Sequence, residues 1–336
     1  MMFPWRSKAA KIAVLAVLGC ASFAAQDPVI SVQVNLVRVI ATVKNRAGQL
    51  VGALKKDDFE IFDNGAKQEI RVFERQTEQP LSIALMIDIS GSTAKDLKYE
   101  TDSAARFLRA LLSEGNPKDA VALYTFNDQV SLLQSYTHNV ASLESRFKYI
   151  RAEGATAVFD AIYLSSEDLE SREGRKVIVL ITDGDDTMSV KKHTAALENA
   201  QLADAVIYPI VVIPVKNDAG RNVGGEHTLQ FMAERTGGRT FLPTLGPQLD
   251  KAFTDIISEL RTQYMIGFYP HDVPLTKDRY HTLVLRVKDP ELQVSARNGY
   301  YGDADGTAGG KSDARIDIKP DRSPAPPDRK KKSQFQ

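Results

Sequence analysis

The sequence of 336 residues contains a single cysteine, Cys20, and no excess of charge of either sign. Lysine plus arginine and aspartate plus glutamate number 43 each, so no global electrostatic field favours nucleic acid or an anionic membrane surface. Because Cys20 lies in an N-terminal segment that we expect to be removed, the mature chain would have no disulfide bond. Its stability must then come from the size of its core and from any bound ion.

Sequence patterns of several enzyme classes are also missing. Ser90-Gly-Ser92 lacks the Gly-x-Ser-x-Gly elbow of hydrolases. No glycine-rich phosphate loop followed by Lys-Ser or Lys-Thr is present. The five histidines are scattered along the chain without the spacing of metal ligands. These absences favour a binding protein over an enzyme.

The N-terminus has the pattern of a secretory signal peptide. A basic start and a short apolar segment, Ile12–Leu18, precede small residues up to Ala25. The apolar segment is shorter than the ~20 residues that a membrane-spanning helix needs. We expect residues 1–25 to be cleaved and the protein to be exported to the periplasm or beyond. Lipid attachment at Cys20 is a less favoured alternative, because the residues before it fit a lipoprotein cleavage box poorly.

The middle of the chain, residues 79–263, alternates strand patterns with amphipathic helix patterns. Repeated βα units predict an α/β fold, a doubly wound and mostly parallel sheet with helices on both faces. A short turn at Asn127-Asp128 predicts one antiparallel edge strand in that sheet.

Two β-rich segments flank this α/β region, residues 26–78 and residues 264–302. In the first, Asp63-Asn64-Gly65 predicts a hairpin turn that leads from Phe59–Phe62 to Glu69–Phe73. Neither segment can bury a core alone, so we expect the two to pair in a small sandwich-like domain that holds the α/β domain as an insertion. The composition of residues 303–336, rich in Gly, Asp, Pro and Lys, predicts a disordered tail.

The most informative stretch is Leu81–Asp88 followed by Ile-Ser90-Gly-Ser92. An apolar strand stops at a carboxylate, and two hydroxyls follow at alternate positions. Packing does not require this pattern, whereas a hard divalent cation needs several oxygen ligands at one point. The alternative is that these residues cap the next helix, since Asp and Ser are preferred N-caps.

Two further segments support the metal interpretation. Lys176–Thr182 is a second apolar strand pattern that ends in Asp183, and a glycine-containing loop between the two strands carries Thr156. In open α/β sheets, ligands bind beyond the carboxyl ends of the strands. The nearby Asp185 and Asp186 could support the ligands from behind, cap a helix N-terminus or simply be solvated, and the last two interpretations are favoured.

Together these residues resemble the metal-ion-dependent adhesion site of von Willebrand factor type A domains. The resemblance implies Asp88, Ser90, Ser92, Thr156 and Asp183 as the ligand set, with Ala155 a small departure where a second glycine is common. It also implies Mg²⁺ as the ion, with Mn²⁺ and Ca²⁺ as alternatives, and a protein or peptide partner that contributes a carboxylate to an open coordination position. The order of segments, with the closing Arg297-Asn-Gly-Tyr300-Tyr301-Gly302, is similar to a secreted acidobacterial family of type A-related proteins.

Two other functions stay open at this point. Asp183-Gly-Asp185-Asp186-Thr187 also fits the Asp-x-Asp-x-Thr loop of Mg²⁺-dependent haloacid dehalogenase-type phosphatases, in which Asp183 would be the nucleophile. In that family the loop follows the first strand, whereas here three predicted strands precede it. The third hypothesis is a structural envelope protein that uses the ion only for folding.

Overall fold

The computed structural model describes residues 36–75, 79–113, 115–212, 223–244, 246–274 and 279–302. The predicted signal peptide, Cys20 and the predicted tail all lie outside the described residues. Within the described ranges, no helix is both long enough and apolar enough to cross a membrane.

Strands occur at both ends of the described chain and alternate with helices in its middle. In chain order the strands are β1 (Val37–Asn45), β2 (Phe59–Asp63), β3 (Ala66–Gln68), β4 (Val72–Arg75), β5 (Leu81–Asp88), β6 (Ala120–Phe126), β7 (Val130–Thr137), β8 (Arg175–Thr182), β9 (Ala205–Val211), β10 (Tyr264–Phe268), β11 (Tyr280–Val287), β12 (Leu292–Ala296) and β13 (Gly299–Tyr301). The α-helices are α1 (Leu97–Ser113), α2 (Val140–Phe147), α3 (Val158–Glu170), α4 (His193–Leu202), α5 (Val223–Thr236) and α6 (Pro247–Thr262).

The two β-rich segments form two antiparallel four-stranded sheets. One has the order β12-β1-β10-β4 and the other β13-β11-β2-β3, so each sheet mixes strands from both segments. Val39 and Ile61 from the first segment and Ile266 from the second are buried in one common hydrophobic core. Because the two segments contribute strands to the same sheets and residues to the same core, each depends on the other to bury its apolar residues.

A buried aspartate connects three strands of the second sheet. The carboxylate of Asp63 accepts a hydrogen bond from the hydroxyl of Tyr300 (2.7 Å) and lies 2.9 Å from Nδ1 of His281. These contacts satisfy a fully buried polar group and hold β2, β11 and β13 together.

The predicted hairpin is correct in its turn and wrong in its second strand. Asn64 and Gly65 both have positive φ, as a tight two-residue hairpin turn requires. The strand that returns along β2 is β3, Ala66–Gln68, and not Glu69–Phe73. The chain then crosses to the other sheet, where β4 pairs with β10. Because both sheets cover one core, the residues after the turn are shared between a strand of one sheet, β3, and a strand of the other, β4.

The middle of the chain forms a five-stranded sheet in the order β7-β6-β5-β8-β9. The pairs β5–β6, β5–β8 and β8–β9 are parallel, and only β7 is antiparallel, after the Asn127-Asp128 turn. The α/β fold class with a flanking β-sandwich is therefore confirmed. The exact domain limits stay a prediction.

The central strand β5 is buried at every residue, because helices cover both faces of the sheet. Ile83 and Leu85 pack in one cluster with α1, α2 and α6. Ala84 and Met86 pack in the other cluster with α3, α4 and α5. A largely apolar run is typical of a strand buried on both faces, and Asp88 at its end is the only charged residue of β5.

Polar contacts join the α/β domain to the sandwich where α6 ends. The side chain of Glu259 lies 2.7 Å from Nζ of Lys44 in β1 and 2.6 Å from Nε of Arg239. The amide of Gln263 donates to the hydroxyls of Tyr208 (2.8 Å) and Thr42 (3.3 Å). These bonds, of which those of Gln263 are buried, fix the passage of the chain from α6 into β10.

Candidate metal site

Asp88 is the last residue of β5, and its side chain is fully buried at the carboxyl end of the sheet. Its Oδ2 accepts a hydrogen bond from the hydroxyl of Thr182 (2.7 Å), the last residue of the adjacent strand β8. Its Oδ1 accepts one from the backbone N–H of Ser90 (2.8 Å). Burial raises the pKa of Asp88 to about 6, although these two bonds act in the opposite direction. A positive charge nearby would therefore stabilise the ionised form.

The turn after β5 places two serine hydroxyls side by side, with 3.0 Å between the Oγ atoms of Ser90 and Ser92. The buried hydroxyl of Thr93 closes the turn by donating to the carbonyl oxygens of Asp88 (3.2 Å) and Ser90 (3.0 Å). Ser90 precedes the short 3-10 helix Gly91–Lys95, but its side chain makes no capping hydrogen bond. Helix capping therefore does not explain the serine at this position.

Thr156 is buried on a loop that contacts both of the other segments. The carbonyl of Gly154 accepts a hydrogen bond from the N–H of Gly91 (3.0 Å), which ties this loop to the serine turn. The carbonyl of Thr156 accepts bonds from the N–H groups of Thr187 and Met188, both 2.9 Å, which tie it to the loop after β8. The loop therefore bridges the two acidic strand ends.

Asp183 follows Thr182 directly, and its charge contributes to the raised pKa of Asp88. The loop that it begins is held against α3, because Oδ1 of Asp186 accepts from the N–H of Val158 (2.8 Å) and the hydroxyl of Ser189 accepts from the N–H of Phe159 (3.0 Å). Asp186 thus caps α3 from a distant part of the chain, in agreement with its interpretation as a helix cap.

The structure brings all five predicted residues to one edge of the sheet. Asp88, Ser90 and Thr156 are buried, Asp183 is partly exposed and Ser92 is exposed. Side-chain hydrogen bonds do not join Thr156 or Asp183 to Asp88 in the described residues; backbone contacts bring these elements together. No group of three or more His, Cys, Asp or Glu suited to a metal was found among those residues. The donors are instead two carboxylates and three hydroxyls, oxygen ligands that fit a hard divalent cation.

Glu100, in the first turn of α1, is a residue that the sequence interpretation missed. It is 2% exposed, and its Oε2 has no hydrogen-bond partner. Burial raises its pKa to about 8, and the charges of Asp88, Asp96 and Asp183 act in the same direction. The charged groups that act on Glu100 are thus all carboxylates.

The stability of the metal-free protein is expected to fall as pH rises from about 4 to 8. Asp88 and Glu100 have raised pKa values in the folded state, so the unfolded chain releases these protons first. The stability that the protonated forms provide is present below pH ~4 and is lost as pH passes their folded pKa values. The loss should be on the order of a few kcal/mol.

Thermal unfolding in EDTA across this pH range measures the effect. Glu100→Gln cannot ionise, so its melting temperature should depend less steeply on pH than that of the parent. Parallel curves for the two proteins would contradict the assignment of the raised pKa to Glu100.

Comparisons with known proteins give one matching family and several similar solved structures. The family described as "von Willebrand factor type A domain" matches residues 83–185. No curated protein matches the chain significantly. A conserved hypothetical protein, BatB from Bacteroides thetaiotaomicron, is similar over 54% of this chain and 98% of its own, with 20% identity and a TM-score of 0.44.

Two pilus proteins are also similar to this chain. The vWF domain of the type V pili tip protein Mfa5 from Porphyromonas gingivalis shares 14% identity over 54% of this chain and 95% of its own, with a TM-score of 0.46. The PilB minor pilin from Streptococcus sanguinis shares 13% identity over 56% of this chain and 62% of its own, with a TM-score of 0.43.

Proposed function

This chain is a von Willebrand factor type A domain protein, and we propose that it is an exported, non-enzymatic protein that binds partner proteins through a divalent cation. Mg²⁺ is the expected ion, with Mn²⁺ and Ca²⁺ as alternatives, and a carboxylate is the expected group on the partner. The proposed ligands are Asp88, Ser90, Ser92, Thr156 and Asp183.

The observation that supports this proposal most is the buried end of β5. The last residue of this strand, Asp88, is ionisable and buried, and no lysine or arginine of the described residues contributes to the shift of its pKa. Two serine hydroxyls lie beside it in a turn that capping does not explain. A buried carboxylate that has hydrogen bonds but no cationic partner is costly to ionise, and a bound cation would remove that cost.

The protein's own residues determine access to the site. Ser92 and Asp183 are the ligand positions nearest the solvent, so a partner would approach on their side. When bound, the cation supplies a coordination position for an anionic oxygen of the partner. Since Asp88 and Ser90 are buried, the partner would not displace them.

Loops around the site offer further contacts to a partner. A groove of about 610 Å³ runs beside it, with Ile89, Asp128, Tyr149 and Gly154 among its lining residues. The side chain of Tyr149 is 67% exposed, and exposed aromatic residues often anchor protein interfaces. We expect this groove to contribute to the choice of partner.

The phosphatase alternative has less support. The matching family is that of type A domains. The loop with Asp183 follows β8, which is the third strand of the parallel part of the sheet in chain order, whereas the phosphatase loop follows the first strand of its domain. Asp186, part of the phosphatase-like pattern, is engaged in capping α3.

Partner capture tests the proposed function. Immobilised mature protein is exposed to a native envelope extract in Mg²⁺ or in EDTA, and retained proteins are identified by mass spectrometry. We expect at least one protein to be retained only in Mg²⁺ and to be lost with Asp183→Ala. A chelator that lowers the melting temperature but leaves capture unchanged would instead indicate a metal used only for folding.

A matched control is Asp102→Ala. Asp102 is exposed on α1, where it pairs with Lys98 on the same helix, so its removal changes the net charge by the same amount away from the ligands. Capture by this variant should equal that of the parent. Equal loss with both variants would indicate non-specific electrostatic attraction and contradict the proposal.

A further inference from the structure

Glu100 is placed where an ordinary structural role does not account for it. An acidic residue in the first turn of a helix often accepts hydrogen bonds from free N–H groups there. The Oε2 atom of Glu100 accepts none and is buried. Its side chain points away from solvent on the same stripe of α1 as Ala104 and Phe107, which face the hydrophobic core.

The charges around Glu100 increase the cost of burying it. Asp88, Asp96 and Asp183 all disfavour its ionised form, and among the described residues no cationic side chain contributes to the shift of its pKa. A buried carboxylate without a partner costs several kcal/mol unless a proton or a cation neutralises it. A protonated glutamate would still leave Oε2 without a hydrogen bond in this structure.

We propose that Glu100 is a further acidic residue of the metal site, which strengthens cation binding from outside the set of five ligands. The proposal rests on the proposed function, because it assumes that a divalent cation occupies the site beside Asp88 and Asp183. Glu100 acts as a charge-balancing residue: it adds a third carboxylate, itself buried, which interacts electrostatically with both Asp88 and Asp183. Its burial keeps this charge unscreened by solvent.

Calorimetric titration with Mg²⁺ and with Mn²⁺ tests the role of Glu100. Glu100→Gln keeps the size of the side chain and removes its charge. We expect this variant to bind both ions about 10–100-fold more weakly, the range found when groups behind the direct ligands are changed. Glu100→Asp keeps the charge and should retain more of the affinity than Glu100→Gln.

Asp102→Asn is the matched control, since it removes one negative charge from an exposed position two residues further along α1. It should bind both ions like the parent. The melting temperature in EDTA provides a second readout: Glu100→Gln should match or exceed the parent at neutral pH, because it removes an uncompensated acidic group. A residue needed only for packing or capping would give a lower melting temperature and an unchanged ion affinity.

The possible outcomes separate this inference from the proposed function. Unchanged ion affinity in Glu100→Gln, together with loss of binding in Asp88→Ala, would overturn the inference and leave the proposed function in place. Absence of ion binding in the parent protein would overturn both.

Discussion

Replacing Asp88 by alanine is expected to abolish binding of Mg²⁺, with a loss of affinity greater than about 100-fold. Asp88 is the buried carboxylate at the centre of the proposed site, and its two oxygen atoms are held by Thr182 and by the backbone of Ser90. Calorimetric titration of the mature protein measures the affinity directly. The parent should show one divalent site.

The metal-free variant should remain folded, because alanine at this position removes a carboxylate whose ionised form is disfavoured by burial. Circular dichroism in EDTA checks this point. Asp102→Ala provides the control for charge alone and should bind Mg²⁺ like the parent. Parental affinity in Asp88→Ala would show that the ion binds elsewhere.

Replacing Val39 by aspartate is expected to destabilise the sandwich by about 4 kcal/mol or more, a large part of the stability of a typical domain. Val39 is fully buried in the middle of β1 and lies opposite Ile266 of β10. A carboxylate there would have no partner. Because β1 lies between β10 and β12, the loss should extend to residues 264–296 at the other end of the chain.

Hydrogen exchange followed by mass spectrometry locates this effect. Amides of β10 and β12 should exchange faster in Val39→Asp than in the parent. Arg46→Asp changes an exposed residue in the turn after β1 and should leave exchange in β10 unchanged. Unchanged protection of β10 and β12 in Val39→Asp would mean that the second β segment is stable without the first.

The sequence predicted the α/β domain well, because most of its helices and strands are long and their apolar residues recur at the spacing of a helix or of a strand. The continuous apolar run of β5 and the helical stripe of α6 leave little choice of structure. Short elements were harder to predict. The short helix α2, Val140–Phe147, begins after a cap formed by Asn139, and its few residues show little of a helical period. Phe241 forms only a single bridge, to Ile210, rather than a strand.

The division of strands between the two sheets of the sandwich could not be predicted from local pattern. Glu69–Phe73 has apolar residues at alternate positions, as a returning hairpin strand would. Which sheet such a strand joins depends on β10, which lies about 190 residues further along the chain. Pairing across that separation is decided by the shared core and not by neighbouring residues.

The candidate site was only partly visible in the sequence. The five predicted residues follow strands or precede a helix, so the edge of the sheet on which they lie could be predicted from topology. Thr182 was missed although it is a polar residue at the end of an apolar strand, beside Asp183. Glu100 could have been found, since it lies four residues before Ala104 and seven before Phe107, on the buried stripe of α1.

If the proposed function is right, one divalent cation binds among Asp88, Ser90, Ser92, Thr156 and Asp183. Anomalous diffraction from crystals grown with Mn²⁺ locates such an ion, because Mn²⁺ takes oxygen ligands as Mg²⁺ does and gives a strong anomalous signal. We expect a single strong peak enclosed by these five side chains, which is absent from crystals of Asp88→Ala. A peak at another place, or no peak at Mn²⁺ concentrations that saturate binding in solution, would contradict the proposed function.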